Sequence, residues 1–271
     1  MAGLGSVLEL ASATHPGMVR SHNEDSIAAD PEMGLAVLAD GMGGYNAGEV
    51  ASGIAVAMVS SEMKKALAGK KPEVLNGTAA EKLIAEQSAR ANAAIYQAAQ
   101  SQPRYSGMGT TLVVALWHDN HMTVGHIGDS RLYRLRGGTL EQMTHDHSLL
   151  QEQIDSGMIT KDQARYSQNK NLVTRAVGID PEVDAEVRTY TVQPGDVYLL
   201  CSDGLNDMVP DEDIQLTLSS LQSNLPLAAQ QLVQQANDNG GRDNISVILV
   251  RVAKEFPART GWVDKLKAWI R

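Results

Sequence analysis

The sequence predicts an α+β domain in which two runs of antiparallel strands are each accompanied by a pair of helices. Three observations carry this reading. Between Thr110 and Gln142 strand patterns succeed one another with no helix between them, and only antiparallel neighbours can be joined by such short turns. Helical periodicity comes in two blocks, one before that run and one near the C-terminus. No internal repeat, low-complexity tract or clear interdomain linker divides the chain.

Taken in order, Val7 to Ser12 and Leu35 to Ala39 read as strands, separated by a polar segment that contains Arg20-Ser-His-Asn-Glu24-Asp25. Two long helices follow. In the first, about Ala47 to Leu67, the spacing puts Val50, Ile54, Ala57 and Met58 on one face; in the second, about Ala79 to Gln100, it does the same for Ile84, Ala91, Ile95 and Ala98. Strands are expected at Thr110 to Trp117, Met122 to Ile127 and Arg131 to Arg136, with a Gly137-Gly138 turn into a short return strand. Residues 144–181 form a polar, helix-prone insertion. Strands resume at Ala185 to Val192 and Val197 to Cys201, helices at Asp211 to Leu221 and Pro226 to Asn237, and Ile245 to Val250 is the last strand. Hydrophobic residues make up 43% and aromatics only 4%, so the core is built from Ala, Val, Leu, Ile and Met, and cofactor stacking is not favoured.

Composition narrows the function. The lone cysteine, Cys201, lies in an apolar run, which excludes an intrachain disulfide and a thiolate zinc cluster and suits a buried thiol. No apolar stretch approaches the roughly 20 residues of a membrane span, the N-terminus lacks a signal-peptide layout, and Ala2 excludes myristoylation; a cytoplasmic location is expected. The formal charge is -9, and residues 254–271 are basic, which leaves the rest of the chain more acidic still. Such a body repels nucleic acid, unless bound cations reverse the local field for an anionic substrate.

Four acidic residues, Asp40, Asp129, Asp203 and Asp243, sit where strand-like runs begin or end. In Leu35-Ala-Val-Leu-Ala-Asp40-Gly41 and Val197-Tyr-Leu-Leu-Cys-Ser-Asp203-Gly204 a buried run delivers an Asp to a rim, and Gly lets the backbone turn. A single Asp-Gly is best read as a hairpin turn. Four such sites far apart in sequence point instead to hard oxygen donors gathered for divalent cations. Two such ions about 4 Å apart repel by roughly 16 kcal/mol at an effective dielectric of 20, so several carboxylates are needed, and Glu24 joins the set. With no His-x-x-x-His or Cys pair nearby, Mg²⁺ or Mn²⁺ fits better than Zn²⁺. Arg20, four residues before Glu24, suits a phosphoryl group. The glycine-rich Gly41-Met-Gly43-Gly44 is not a nucleotide loop: Asn46 stands where a dinucleotide fingerprint needs Gly, and Glu49-Val50 replaces the Lys-Ser/Thr of a P-loop.

Thr14-His-Pro-Gly17, Arg20-Ser-His-Asn-Glu24-Asp25, Ala39-Asp40-Gly41-Met42-Gly43-Gly44, Gly107-Met-Gly109-Thr110-Thr111, Gly128-Asp129-Ser130-Arg131, Cys201-Ser-Asp203-Gly204 and Gly241-Arg-Asp243-Asn244 occur in the order seen in bacterial metal-dependent Ser/Thr protein phosphatases of type 2C, the PPM family, which the chain resembles from about Leu8 to Val252. The resemblance implies a four-layer α-β-β-α sandwich, two antiparallel sheets face to face with helix pairs outside and the metal cleft between the sheets at one edge. It implies that Asp40 bridges two Mn²⁺ or Mg²⁺ ions, with Asp203 and Asp243 on the first and Glu24 and the Gly41 carbonyl on the second. Asp129, with Asp203, matches a third, weaker position, and Arg20 the phosphate-binding arginine. Where animal members carry a His after the metal-binding Asp-Gly, this chain has Met42, so the general acid stays unassigned; His15, Tyr45 and a metal-bound water are the options weighed.

The expected chemistry is hydrolysis of phosphoserine and phosphothreonine by in-line attack of a metal-bridging hydroxide, with no Cys or His nucleophile at the cleft. The partners implied are phosphorylated proteins and a cognate Ser/Thr kinase, with no nucleic acid, and a monomer is expected. A catalytically inactive metal-binding module that recognises phosphoproteins is the rival; it expects loss of Asp40, Asp203, Asp243 or Arg20. A metal-dependent nuclease is disfavoured by the acidic body. The phosphatase domain is read as residues 1–253, with a flap over about 144–180. His145 and His147 there take structural roles, and His118 and His121 are read as solvent-facing loop residues. Residues 254–271 form an amphipathic tail with Trp262, Val263, Leu266, Trp269 and Ile270 on one arc, expected to pack on the body in preference to docking a partner or membrane.

Overall fold

The alternation of cores along single strands explains the architecture. In β3 (Leu35–Met42), Leu35, Val37 and Ala39 enter one hydrophobic cluster while Ala36 and Leu38 enter another. In β10 (Val197–Cys201), Val197, Leu199 and Cys201 face a third cluster while Tyr198 and Leu200 join the second. A strand that buries both faces reads as a continuous apolar run, and each sheet must then be covered on both sides.

The computed structural model describes residues 4–44, 47–68, 75–164 and 172–257. One sheet orders β1 (Leu8–His15), β11 (Ile245–Val252), β10, β7 (Arg131–Arg136) and β8 (Thr139–Gln142) as β1-β11-β10-β7-β8. The other orders β2 (Asp25–Asp30), β3, β5 (Leu112–His118), β6 (His121–Ile127) and β9 (Glu186–Thr191), with the short β4 (Gly109–Thr110) on the end of β3. All ladders are antiparallel. Helices α1 (Ala47–Leu67) and α2 (Gly77–Ser101) cover the second sheet through Val59, Met63, Ile84 and Ile95. Short α3 (Leu149–Asp155) and α4 (Lys161–Ala164) belong to the insertion, and α5 (Asp203–Asn206) is a single turn after β10. Helices α6 (Asp211–Leu221) and α7 (Leu225–Asp238) cover the first sheet through Ile214, Leu218, Leu232 and Ala236. The four-layer sandwich is the expected one. Proposed tail residues 258–271 lie outside the described residues.

Four local expectations need correction. The buried face of α1 carries Ala47, Ala51, Ala55 and Val59, whereas Val50, Ile54 and Met58 are partly exposed and Ala57 is exposed. The helix is apolar nearly all round, so periodicity selects no face, and the small side chains are the ones that let it lie close on β3. Asp25–Asp30 is a strand that its polar sequence hides; at the edge of its sheet it needs to bury little. The first strand runs on to His15, because β11 pairs with it along its whole length. His118 and His121 are strand residues: the turn between them is only Asp119-Asn120, both at positive φ (42° and 54°), as a two-residue hairpin requires. His118 is 1% exposed, with its ring nitrogens 2.8 Å from Thr123 Oγ1 and 3.1 Å from the Leu75 carbonyl.

Between the sheets, Trp117 is 1% exposed and meets the Tyr198 ring edge-on at 5.6 Å, joining β5 of one sheet to β10 of the other. Trp117→Ala is expected to cost about 3–5 kcal/mol, the range for deleting a buried aromatic ring, read as a lowered denaturant midpoint with an unchanged slope.

Candidate active site

The site grows from one pairing. In the β2–β3 ladder Asp25 stands directly opposite Asp40, at the end where β3 runs into Gly41. Two neighbouring threonines hold the Asp40 backbone: its N–H donates to Thr111 Oγ1 (3.0 Å), and its carbonyl accepts from Thr110 Oγ1 (2.8 Å) and from the Thr111 N–H (2.8 Å). Gly41 is required by close approach, since a Cβ there would collide with the Gly48 carbonyl of α1. Thr111 Oγ1 also shares a hydrogen bond with Ser130 Oγ (2.7 Å), so the stations of Asp40 and Asp129 are linked through buried hydroxyls.

The other sheet supplies the opposing wall. Ser202, before Asp203, donates to Asp25 Oδ2 (2.8 Å) and accepts from the Ser246 N–H (2.9 Å), joining β10, β11 and β2. Asn244 is a hub: its Oδ1 accepts from the Glu24 N–H (2.7 Å), and its Nδ2 donates to the carbonyls of His22 (2.8 Å) and Pro16 (3.0 Å). Arg20 donates to Asp243 Oδ2 at 2.8 Å. The result is a cleft of about 350 Å³ whose wall includes Arg20, Glu24, Asp40, Gly41, Asp129, Asp203 and Asp243, all seven residues singled out from the sequence.

Electrostatics show what the cleft lacks. Burial pushes the Asp40 carboxyl well above its usual range, and Asp25, Asp203, Asp129 and Asp243 push it further. Asp203 is raised in the same way by burial and by Asp129, Asp207 and Asp243. Asp25 and Asp129 are each pushed up to about 6, chiefly by burial. Glu24 is raised by burial as well. Among the described residues, Asp203 Oδ1 and Asp25 Oδ1 are buried without a hydrogen-bond donor. Crowded carboxylate oxygens of this kind, some without a hydrogen-bond donor, fit hard divalent cations.

Asp25, Asn244, Thr111 and Ser202 escaped notice as site residues; their signal was proximity to Glu24, Asp243, Gly109 and Asp203 in the quoted motifs. His22 lines the cleft, while His15, weighed as a general acid, accepts from the Gly17 N–H and is not on the cleft wall. Tyr45 lies outside the described residues. Cys201 is fully buried, and burial pushes its thiol up, which leaves it inert. His126, His147 and Glu186 form a second group, with ligand atoms within 4.8 Å of one another.

Residues 18–246 match the family model for Protein phosphatase 2C. The serine/threonine phosphatase stp of Listeria welshimeri is 37% identical over 240 residues, covering 88% of this chain and 93% of that protein. The crystal structure of the Mycobacterium tuberculosis serine/threonine phosphatase PstP/Ppp superposes with a TM-score of 0.82 at 35% identity, covering 91% of this chain and 99% of the other. The catalytic domain of PstP in complex with two manganese ions gives a TM-score of 0.79 at 36% identity, covering 92% and 99%. The chain belongs to the protein phosphatase 2C family of metal-dependent protein serine/threonine phosphatases.

Proposed function

We propose that Asp40, Asp203 and Asp243, with Glu24 and the Gly41 carbonyl, hold two Mn²⁺ or Mg²⁺ ions in the cleft, that Asp129 with Asp203 holds a third, and that Arg20 receives the phosphate of phosphoserine or phosphothreonine. The observation that carries this is the convergence of five acidic side chains and one arginine on a single cavity built from both sheets. Bound there, divalent cations bring the pKa of water toward neutrality and offset charge on the phosphoryl oxygens. The protein's own part is positional. The threonine pair fixes Asp40, Asn244 fixes the Glu24 backbone, and Arg20, 56% exposed and tethered to Asp243, presents its remaining donors to the cleft mouth. Phosphorylated proteins are the substrates, and a cognate Ser/Thr kinase as counterpart, a cytoplasmic setting and a monomeric state complete the reading; no helix among the described residues is long and apolar enough to cross a membrane. An inactive recognition module would have lost one of Asp40, Asp203, Asp243 or Arg20, and all four line the cleft.

Chelation with EDTA is expected to abolish hydrolysis of a phosphothreonine peptide and Mn²⁺ to restore it, while Asp203→Asn loses most turnover at any Mn²⁺ concentration. Full activity in chelator would refute the assignment. Arg20→Ala is expected to lower kcat/KM by about ten- to a hundredfold, the worth of one charge-assisted phosphate contact of about 1.5–3 kcal/mol. A kcat/KM equal to wild type would remove Arg20 from the phosphate site.

The raised carboxyls also set a pH dependence. Asp25 and Asp129 are at about 6 in the folded chain and near 4 when unfolded, so between those values the metal-free native state holds the extra protons and its stability falls as pH rises. Bound cations would keep the proposed ligand Asp129 ionised and remove its share of that loss. Buried His118, His126 and His147, all shifted down by burial, pull the other way, but equally with and without metal. The rise in Tm produced by saturating Mn²⁺ is therefore expected to grow from pH 5 to pH 7; a constant or shrinking rise would contradict it.

A further inference from the structure

The stretch Thr144–His147, which leads into the flap, grips the loop that carries Asp129 residue by residue. The Leu132 N–H donates to Thr144 Oγ1 (3.1 Å), and a ring nitrogen of His126 lies 2.8 Å from the His145 carbonyl. Arg131 makes a two-pronged pair with Asp146 (2.7 and 3.0 Å). His147 does more. Its backbone N–H donates to the Gly128 carbonyl (3.0 Å), and its ring Nδ1 accepts from the Gly128 N–H (3.1 Å), so one residue satisfies both backbone polar groups of Gly128, the residue before Asp129.

Gly128 needs such a hold. Its φ is +102°, a conformation that L side chains rarely adopt, and a Cβ there would also press on Thr111, the residue that fixes Asp40. The region is closed to water: His147 is 6% exposed and stacks on His126 at 4.8 Å. An unpaired Gly128 N–H would stay unsatisfied there. Because Nδ1 accepts, the ring proton sits on Nε2, which is buried without a hydrogen-bond partner and lies 3.8 Å from Glu186. Burial, with His126 and Arg175 nearby, pushes His147 down to about 4, so the ring stays neutral and keeps that acceptor. The same tautomer argues against the His126–His147–Glu186 group as a second cation site, since the His147 lone pair is already engaged.

The grip extends to the cleft. The His147 carbonyl accepts from the Thr174 N–H (2.8 Å), Ser148 bridges Val173, and the Leu149 N–H donates to the Leu172 carbonyl (2.9 Å); Val173 itself lines the cleft. We infer that His147 is a positioning residue that aims the Asp129 carboxylate through the Gly128 peptide and ties it to the returning limb of the flap at Leu172–Thr174. The inference rests on the reading of Asp129 as a ligand of the third, weakest cation.

The test is Mn²⁺ binding to the full chain, followed by the electron paramagnetic resonance of free Mn²⁺, which resolves weak from tight equivalents independently of turnover. Asn places Oδ1 where His147 has Nδ1, whereas Gln carries its acceptor one atom further, near Nε2. His147→Gln is expected to weaken the weakest equivalent about tenfold, the size of one lost buried hydrogen bond, and to leave the tight pair unchanged; His147→Asn is expected to stay within about threefold of wild type. Asp129→Asn serves as the reference and is expected to remove the weak equivalent. If Asp129→Asn removes it but His147→Gln binds like wild type, or the Asn and Gln variants weaken it equally, the positioning role is overturned. If Asp129→Asn leaves the weak equivalent intact, the reading of Asp129 fails, and the inference with it.

Discussion

Mutual repulsion among carboxylates held at the mouth between two sheets is the constraint on which the rest of the structure depends. Asp25, Asp40, Asp129 and Asp203 are all raised, and burial is the first cause in each. A chain left to itself would spread these groups into water. They stay together because their backbones are committed elsewhere: Asp40 belongs to a strand buried on both faces, and Asp203 follows another after the single residue Ser202. The hydrophobic cores therefore hold the acids against their own field, and the cost is recovered when cations enter.

Holding the strands is not sufficient, because the cleft acids on different sheets must also keep register. That task falls to short polar side chains. Ser202 spans three strands of both sheets, the Thr111–Ser130 pair joins the Asp40 and Asp129 loops, and Asn244 gathers three backbone segments. Each is small and buried, so little rotamer freedom is lost and few alternative partners exist. A longer side chain at these positions would reach as far with less definition.

The acids that line the cleft were legible in the sequence because Asp40, Asp129, Asp203 and Asp243 sit where strands begin or end, and the period-2 or continuous apolar signal points at them. The fold was legible for the same reason: strands in succession between helix blocks leave little choice but two antiparallel sheets. What stayed hidden shares one physical feature, dependence on a partner distant in sequence. Asp25 looks like a turn residue until β3 pairs with it. Asn244 is a polar residue after an Asp until residues 16, 22 and 24 arrive. The α1 face was misread because an almost wholly apolar helix is oriented by how near its backbone must come to β3, which hydrophobicity does not encode. His118 was misread because a two-residue turn is too short to separate strand ends from loop by composition.

Charge imposes a sequence on ligand binding. Of the residues lining the cleft, Glu24, Asp40, Asp129, Asp203 and Asp243 are acidic and Arg20 is the one arginine, already paired with Asp243. Next to it, sharing Asp129 and Asp203, lies a cavity of about 380 Å³ that adds Asp146, Asp207, Asp211 and Glu212 and gains only Arg131, itself paired with Asp146. A phosphate monoester approaching the metal-free protein meets a negative field in which Arg20 already shares its charge with Asp243, which weakens binding there. Divalent cations held in the cleft would reverse the local field for a phosphorylated chain inside an otherwise acidic body. Against that acidic surface, a cation-loaded cleft would be the place where a phosphate is favoured, so recognition of the reacting group would depend on where the cations sit.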